Sequence, residues 1–248
     1  MLVMTKEEVD NMLVNKIGNS IDNLKTGYNI FSTDLDGVDA FISINESKNT
    51  ITGQKGSCVV WFKLDNVNTS ATIWQARVDS NNYVNVFYHN GTTELRIAYR
   101  LGGSTKLATH TVSIENDGLF HNIVATWTPS RIELYVDGTL RDFNTFSGTF
   151  TGQFANSFIG QNTLNGNYFH GKIAQLGLFK EVLTDIQVGN IYKINQEPFD
   201  LTGMDDLVAY YKLDEGSGTV AIDSSGNENN GILHNNTIYT TDVPLKAE

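Results

Sequence analysis

The sequence predicts an all-β protein folded as an antiparallel β-sandwich. Between residues 28 and 194, apolar residues alternate with polar ones at a period of two, which is typical of strands with one buried face. Dipeptides that favour tight turns recur between these runs, at Asp36-Gly37, Asn90-Gly91, Asp117-Gly118, Asp137-Gly138 and Asn165-Gly166. Because one short helical pattern is the only interruption, the strands are expected to pair with one another in two packed sheets.

The composition is that of a globular, acidic protein. The 248 residues are 40% hydrophobic and 10% aromatic, enough for a sizeable core. A net charge of −11 and the lack of any long Lys/Arg run argue against nucleic-acid binding. No apolar run reaches membrane-spanning length, and the N-terminus has no apolar secretory core. The single cysteine, Cys58, lies in an apolar run where a buried structural role is expected.

Residues 1–27 are predicted to be a helical arm. Thr5 and Glu8 match a capping box at the start of a helix over residues 5–27. Apolar residues then follow the 3-4 spacing of a coiled-coil seam, at Val14, Ile17, Ile21, Leu24 and Tyr28. Only about two heptads are covered, and Gly18 weakens the helix. Two alternatives are open: a helix docked on its own domain, or an oligomerising or anchoring arm, for which a trimer is favoured.

Residues 28–194 are predicted to form the sandwich itself. "CVVWFKL" places Cys58, Val60, Phe62 and Leu64 on one face of a strand. "YVNVFYHNG" and "ELRIAYRL" predict a hairpin closed by Asn-Gly, and "HNIVATW", "RIELYVDG" and "GKIAQLGLF" predict further strands. "TDIQVGNIYKI" predicts one short helix after the last long strand. Thr184 is the expected N-terminal cap of this helix. One face of the helix is shared, only loosely, by Ile186, Gly189, Asn190 and Lys193.

The remainder of the chain divides into a linker and a C-terminal segment. Residues 195–205 contain Pro198 and show no periodicity, as expected of a linker. In residues 206–248, alternating residues predict a strand with Leu207, Ala209, Tyr211 and Leu213 on one face and Val208, Tyr210 and Lys212 on the other. The polar loop "DSSGNENNGIL" follows it.

Four segments, in order, resemble the concanavalin A-like, laminin-G-type domain family, which has a jelly-roll sandwich fold. They are "DLDGVDAFISI" (34–44), "CVVWFKL" (58–64), "GLFHNIVATWTPSRIELYVDGTL" (118–140) and "YFHGKIAQLGLFKEVLTDIQVGNIY" (168–192). The resemblance covers most of the chain. The most specific piece is the third, with its aromatic-His strand, Trp-ended strand and "LYVDG".

The C-terminal segment also resembles this family, but in a different order. A strand like "LVAYYKLDEGSG", followed by a loop like "DSSGNENNGIL", normally precedes the rest of the domain. Here it comes last, which suggests a circular permutation, since domain termini usually lie close together. Three alternatives are open: the segment completes its own sandwich, it completes a neighbouring subunit's, or it is a separate small element.

The sequence predicts no catalytic residues. The resemblance implies that glucanase relatives carry two Glu and one Asp on one strand, and paired acids are what glycoside hydrolysis requires. The nearest match is Glu115 with Asp117, which lacks the second Glu and ends in a turn. No pair of histidines has zinc-binding spacing, and no nucleophile elbow or phosphate loop is present. The protein is therefore expected not to be an enzyme.

Calcium is the one ion for which ligands are predicted. The loop after the C-terminal strand places oxygen side chains at Asp223, Ser225, Asn227 and Asn229, and calcium binds six to eight oxygens. The resemblance implies a structural calcium near this loop, to which Asp34, Asp36 and Asp39 are further candidate ligands. The alternative is a polar turn held by its own hydrogen bonds.

Glycan recognition is the activity that the resemblance implies, through end loops or sheet aromatics. Trp74, Tyr83, Tyr88 and Tyr168 lie near loop signals and are the candidate sugar platforms. We expect a non-catalytic lectin-like protein, and a bacteriophage virion surface component (head fibre, capsid decoration or tail-associated) reconciles this with the absence of a signal peptide. Its partners would be other virion proteins or host surface glycans. A carbohydrate-binding or adhesion module of a secreted, extracellular bacterial protein is the alternative, and a glycoside hydrolase is the third hypothesis.

Overall fold

Two antiparallel sheets packed face to face confirm the predicted sandwich. The computed structural model describes residues 30–45, 51–65, 68–111, 117–162, 166–192 and 199–244. The predicted arm, with Val14, Ile17, Ile21, Leu24 and Tyr28, lies outside the described residues, as does the first part of the linker. The strands are β1 (Ser32–Asp36), β2 (Phe41–Ser43), β3 (Gly56–Leu64), β4 (Ala71–Asp79), β5 (Asn82–His89), β6 (Glu94–Leu101), β7 (Ser104–Thr111), β8 (His121–Trp127), β9 (Arg131–Val136), β10 (Thr139–Thr145), β11 (Asn156–Ile159), β12 (His170–Phe179), β13 (Leu207–Tyr211), β14 (Val220–Ala221), β15 (Gly231–His234) and β16 (Ile238–Thr240).

Each sheet contains eight strands in the described part of the chain. In sheet A the order is β10-β9-β8-β3-β12-β1-β16, and β13 also pairs with β12. In sheet B the order is β14-β15-β2-β11-β4-β5-β6-β7. The main core lies between the sheets, where the inward side chains of β3 meet those of β4 to β6. As predicted, Cys58, Val60 and Phe62 belong to this core and are fully buried.

A second apolar layer covers the outer face of sheet A. Val59, which faces away from the main core, packs with Val188, Leu201 and Tyr210 in a separate cluster. Val188 belongs to the one helix of the described residues, α1 (Asp185–Ile191). Because the helix and the segment around residue 201 lie over this sheet, both faces of its central strands are buried.

The predicted cap of α1 is confirmed, but its predicted face is wrong. The Thr184 side chain accepts a hydrogen bond from the backbone N–H of Gln187, and the Gln187 side chain accepts one from the Thr184 backbone N–H, which is a capping box. The buried residues are Val188 and Ile191, three apart, whereas Ile186 is 78% exposed. The helix therefore docks through the i, i+3 pair that its short length allows.

Strands β1 and β13 share one edge of β12. β3 pairs along β12 from Gly171 to Phe179 on one side. On the other side β1 pairs with the stretch up to Ile173, and β13 pairs from Leu176 onward. Farther along, β16 pairs with β1, while β15 pairs with β2 and carries β14 at the edge of sheet B. Residues 207–240 thus add strands of this same chain to both of its sheets.

Both faces of β13 are buried, whereas the alternating pattern predicted that only one of its two sets of alternating side chains would face the sheet. Val208, Tyr211 and Leu213 belong to the main core, whereas Tyr210 lies in the outer cluster against Leu201. The reason is the covering segment: Leu201 lies over Gly177 of β12 so closely that a Cβ there would be 2.3 Å from the Leu201 Cδ1 atom. A glycine at this position lets residues 199–204 seal the outer face.

Candidate functional site

The turns at one end of the sandwich gather around the start of β12. The register places Asp36 opposite His170 and Phe62 opposite His121, so β1, β3 and β8 turn at the same end. The turn after Asp36 approaches β12 closely, because a Cβ at Gly37 would lie 2.6 Å from the His170 Cβ atom. Gly37 also has a φ of +73°, which favours glycine.

A neutral polar cleft opens between these turns. Its volume is about 480 Å³. The lining is made of amide and hydroxyl side chains, glycines and one aromatic ring: Gly37, Asn68, Thr69, Ser70, Asn90, Gly166, Asn167 and Tyr168. No charged residue lines it within the described ranges. This volume is in the range of small-ligand pockets, and the lining offers both donors and acceptors.

Hydrogen bonds among the turns fix the shape of this cleft. The Ser70 hydroxyl donates to Asn90 Oδ1 (2.9 Å), and Asn90 Nδ2 donates to the Asn68 carbonyl (2.8 Å). On the other wall, the backbone N–H of Thr72 donates to the Asn167 carbonyl (2.8 Å). The β3–β4 and β5–β6 turns are thereby joined to each other, and the β11–β12 loop is joined to the start of β4.

An acidic cleft of about 440 Å³ lies next to the neutral one. Asp34, Asp36, Asp65 and His170 line it together with Asn236 and Ile238. Asp36 Oδ1 accepts hydrogen bonds from the backbone N–H groups of three residues in the following turn. Burial would raise the pKa of Asp36, but these bonds, with one from Asn236, lower it to about 2.

Lys172 neutralises part of this acidic cleft. Its Nζ atom contacts Asp65 Oδ2 and lies 3.7 Å from Asp34 Oδ2. Burial would lower the pKa of Lys172, but the hydrogen bond and charge of Asp65 and the charges of Asp34 and Asp242 raise it. The ammonium group therefore already supplies a cation between two of the carboxylates.

Of the four predicted sugar platforms, the structure places one in the neutral cleft. Tyr168 lines it, and Tyr83 lies half-buried on the outer face of sheet B. Trp74 and Tyr88 are fully buried in the main core, so neither offers a ring face to a ligand. This corrects the expectation for both residues: each lies on the core-facing side of its strand, and the Trp74 indole donates to the buried Ser157 hydroxyl (3.1 Å).

The structure does not bring the predicted calcium ligands together. Asp36 lies opposite His170, whereas Tyr210, which contacts Asp223, lies opposite Gly177, seven residues farther along β12. At about 3.3 Å per residue the two groups are about 20 Å apart. The described residues also contain no cluster of three or more acidic, His or Cys side chains suited to a metal. The seven predicted residues therefore do not fit one calcium site.

The predicted calcium ligands of the C-terminal loop contact the backbone of β13 instead. The Asp223 carboxylate accepts hydrogen bonds from the N–H groups of Tyr210, Ser225 and Asn229, each 2.9 Å long. Ser225 Oγ, Asn227 Nδ2 and Asn229 Nδ2 all donate to the Val208 carbonyl. The polar turn that the sequence offered as the alternative is thus present. In the other half, Asp39 Oδ1 is buried and accepts no hydrogen bond from the described residues.

His121 is held between two carboxylates at the same end of the sandwich. Its Nε2 atom lies 2.8 Å from Asp117 Oδ2, and its Nδ1 atom lies 2.9 Å from Asp137 Oδ2. Burial would lower the pKa of His121, but the hydrogen bonds and charges of Asp137 and Asp117 raise it. The imidazole ties the start of β8 to the β9–β10 turn, which gives both carboxylates a structural role.

The sequence and the fold both match known proteins. Residues 36–189 match the family model Laminin_G_3, described as the concanavalin A-like lectin/glucanases superfamily. No curated protein sequence is significantly similar to this chain. Within the described ranges, no helix has both the length and the hydrophobicity that a membrane span requires.

Several solved structures share the fold at low sequence identity. A Bacteroides ovatus protein proposed to bind carbohydrate is 16% identical, with a TM-score of 0.64 over 86% of this chain, which spans 60% of that protein's length. The CBM40 module of the Ruminococcus gnavus IT-sialidase, bound to α2,3-sialyllactose, is 11% identical (TM-score 0.53) over 66% of this chain and 100% of the module. Domain 4 of an extracellular arabinanase from Geobacillus stearothermophilus, in complex with arabinotriose, is 18% identical (TM-score 0.53) over 65% of this chain and 76% of that one.

Proposed function

The chain belongs to the concanavalin A-like lectin/glucanase superfamily, and from that premise we propose that it is a non-catalytic carbohydrate-binding module. The observation that carries the proposal is the neutral cleft lined by Tyr168 and by asparagine and serine side chains. A sugar presents hydroxyl groups that both donate and accept, together with an apolar C–H face. Amide and hydroxyl side chains match the former, and an aromatic ring matches the latter.

The acidic groups beside the cleft support a binding role over a hydrolytic one. A glycoside hydrolase needs one carboxylic acid whose pKa is raised, so that it can donate a proton. The pKa of Asp36 is instead lowered, and Asp65 is paired with Lys172. Asp214, whose pKa is raised by burial and by the charge of Glu215, does not line either cleft.

Substitution of the cleft aromatic tests the proposal. We expect the protein to retain neutral oligosaccharides on a glycan array and Tyr168→Ala to lose that retention. The matched control is Phe143→Ala, which removes a ring that is 48% exposed on β10 of sheet A, away from the cleft. Retention that survives Tyr168→Ala, or that Phe143→Ala abolishes equally, would contradict the assignment of the cleft.

A second part of the proposal concerns the assembly in which the sandwich is displayed. We propose that the sandwich is displayed on a bacteriophage virion and that residues 1–27 assemble it into an oligomer. The apolar 3-4 spacing of those residues supports the oligomer. Light scattering of the full chain tests it: a stable trimer supports a virion fibre or decoration protein, whereas a monomer that binds glycans supports a module of a secreted protein.

A further inference from the structure

The turn between β5 and β6 contains the exposed pair Asn90-Gly91. The Thr93 N–H closes this turn with a hydrogen bond to the Asn90 carbonyl (3.4 Å), and Asn90 also lines the neutral cleft. In such a pair the backbone nitrogen of the glycine can attack the side-chain carbonyl carbon of the asparagine. Only Cβ, Cα and C lie between the two atoms, so the attack is intramolecular and closes a five-membered ring, and glycine has no Cβ to hinder it.

The backbone nitrogen of Gly91 is free to react. Its N–H donates no hydrogen bond within the described ranges. In the second of the three Asn-Gly pairs of the sequence, the Gly166 N–H donates to the Asn162 carbonyl (3.1 Å). In the third pair, Gly231 belongs to β15, whose backbone pairs with that of β14. The backbone of the other two glycines is thus held in place, whereas the Gly91 nitrogen can approach the side chain that precedes it.

The carbonyl group of the Asn90 side chain is polarised by a neighbouring hydroxyl. The Ser70 hydroxyl donates to Asn90 Oδ1 (2.9 Å), and Asn90 Nδ2 donates to the Asn68 carbonyl (2.8 Å). When the glycine nitrogen attacks, negative charge develops on Oδ1, and a donor aimed at that oxygen stabilises it. The hydrogen bond from Ser70 therefore lowers the barrier to the attack.

His89 supplies a base beside this glycine. A Cβ at Gly91 would lie 3.1 Å from His89 Cε1, so the imidazole ring borders the reacting nitrogen's residue. The Thr92 hydroxyl donates to Glu94 Oε2 (2.8 Å), so His89 Nδ1, 3.2 Å from Thr92 Oγ1, donates to that oxygen. This leaves the Nε2 lone pair of the neutral ring available. A base so placed takes up a proton directly or through one water molecule.

We propose that Asn90 deamidates in the folded protein with the help of these groups. The Gly91 nitrogen forms a bond to Asn90 Cγ, and its proton passes to His89. The Cγ–Nδ2 bond then breaks, and ammonia leaves with that proton. Water opens the resulting succinimide ring at either of its two carbonyl carbons, which leaves aspartate or isoaspartate in place of the asparagine. Nothing is oxidised or reduced, and each conversion adds one negative charge.

Deamidation changes the neutral cleft. The new carboxylate cannot donate to the Asn68 carbonyl, so the hydrogen bond that joins the β3–β4 and β5–β6 turns is lost. Oxygen atoms then face one another across this gap, and isoaspartate also lengthens the backbone of the turn. Retention of neutral glycans should therefore fall as conversion proceeds. This consequence rests on the proposed function of the cleft, whereas the chemistry at Asn90 does not.

Peptide mass spectrometry of the aged protein tests the modification site. The full chain is incubated at physiological temperature and pH, both folded and unfolded in guanidinium chloride. We expect Asn90 to convert about tenfold faster in the folded chain, because only that chain positions the donor and the base. Ammonia and isoaspartate should appear together with the mass change. Asn230, the internal control, should convert more slowly when folded, and an equal rate for Asn90 in both states would overturn the proposal.

Three variants assign the roles of the groups around Asn90. Gly91→Ala places a Cβ beside the attacking nitrogen and should nearly stop conversion in the folded chain. Ser70→Ala removes the donor to Oδ1, and His89→Gln removes the base, so each should slow conversion about tenfold. An unchanged or faster rate in either variant would overturn the role given to that residue. Melting curves show whether each variant is still folded.

A pH profile distinguishes a base from a structural role for His89. Hydroxide is the base in unassisted deamidation, so the rate in His89→Gln should rise in proportion to hydroxide throughout. The unsubstituted protein should instead reach a plateau once the imidazole is neutral. Glu94 and Arg96, which reach the imidazole through Thr92, are the charged groups joined to it. Two profiles of the same shape would overturn the role of His89 as the base.

Glycan retention tests the consequence separately. Asn90→Asp installs one product and should lower the retention of neutral glycans. Asn81→Asp is the matched control, because it adds the same charge at an exposed asparagine at the opposite end of β5. Equal retention by Asn90→Asp and the unsubstituted protein would overturn the effect on the cleft. A protein that retains no glycan at all would refute the proposed function, while the mass measurement would still decide the modification.

Discussion

The backbone N–H of Tyr210 donates a 2.9 Å hydrogen bond to Asp223 Oδ1, which joins β13 to the loop that follows it. The Ser224 N–H returns a bond to the Tyr210 carbonyl (2.7 Å), so the loop bonds to the backbone of β13 as a partner strand would. Free strand edges promote aggregation, and proteins block them with loops and side chains. Here the block is built from the aspartate and asparagines of one polar turn.

Replacing Asp223 should therefore destabilise the whole sandwich. Asp223→Ala removes the acceptor of three backbone N–H groups at a side chain that is 7% exposed. An unsatisfied buried donor costs about 1–3 kcal/mol, so we expect a loss of about 3 kcal/mol in the free energy of unfolding. Urea denaturation measures it, and Asp205→Ala, at an exposed aspartate, is the matched control. A change below about 0.5 kcal/mol would show that the loop does not support β13.

Removal of residues 206–248 should prevent folding. Val208, Tyr211 and Leu213 of this segment lie in the main core, so the shortened chain would expose both that core and the edge of β12. Circular dichroism and gel filtration of the truncated protein measure the effect. A truncated chain that melts like the full one would contradict this expectation.

We also expect the segment to complete its own sandwich. A chain lacking residues 1–27 should then be a folded monomer by light scattering at all concentrations. An exchanged strand predicts instead a dimer or larger assembly that dissociates only with unfolding. A second measurement adds a separately made 206–248 peptide to the chain that lacks these residues. Recovery of the fold would confirm the contact between the segment and the sandwich, whether the segment completes its own subunit or a neighbouring one.

Acid should weaken the turn around Asp36. Because the folded pKa of Asp36 is about 2, below its ordinary value of 3.8, its contribution to stability is present above about pH 4 and is lost as the pH falls toward 2. Asp36→Asn should lose less stability than the unsubstituted protein over this window. Melting curves between pH 5 and 2 test this, and parallel curves for the two proteins would contradict it.

His121 should make the stability of the protein fall as the pH rises near neutrality, which is the opposite of the pH dependence expected from Asp36. Its folded pKa is raised by Asp137 and Asp117, so its contribution is fully present below its ordinary value of 6.5 and is lost as the pH rises through the folded value. The stability of His121→Gln should change less across this range. The pH dependence of the imidazole C–H chemical shifts in NMR spectra gives the pKa directly, and a value at or below 6.5 would refute the assignment.

Calcium stays a prediction that one melting experiment decides. The two halves of the predicted ligand set lie about 20 Å apart, and the Asp223 oxygens already accept backbone hydrogen bonds. We therefore expect the melting temperature to be the same with calcium as with EDTA. A rise with calcium that Asp39→Asn abolishes would instead assign a site around the buried Asp39 Oδ1 atom, which has no hydrogen-bond partner among the described residues.

The strands were predictable because burial follows a period of two. "ELRIAYRL" coincides with β6, and Leu95, Ile97 and Tyr99 are fully buried as the alternation requires. The same rule fails at β13, where Tyr210 and Tyr211 are both buried. Burial of the second face depends on Leu201 and α1, and no local pattern in β13 encodes a cover that comes from elsewhere in the chain.

The candidate sites were less predictable than the fold. Tyr168 and Tyr88 both lie beside turn signals, but Tyr88 faces the core and Tyr168 the cleft. Asn68, Ser70 and Asn90 meet there only because the β3–β4 and β5–β6 turns lie at the same end of sheet B. Tyr83, the remaining predicted platform, lies on β5 between Arg77 of β4 and Arg100 of β6, and this cross-strand register is not specified by alternation within one strand.

The pairing of β1 with β16 has a mechanical consequence. Ser32 pairs with Thr240, so the chain enters one strand and leaves the other at the same end of an antiparallel ladder. A force that pulls these two points apart loads the ladder's hydrogen bonds one after another, because those bonds run perpendicular to the strands. Stretching should then peel β16 from β1 at low force, while the core between the sheets still carries no load.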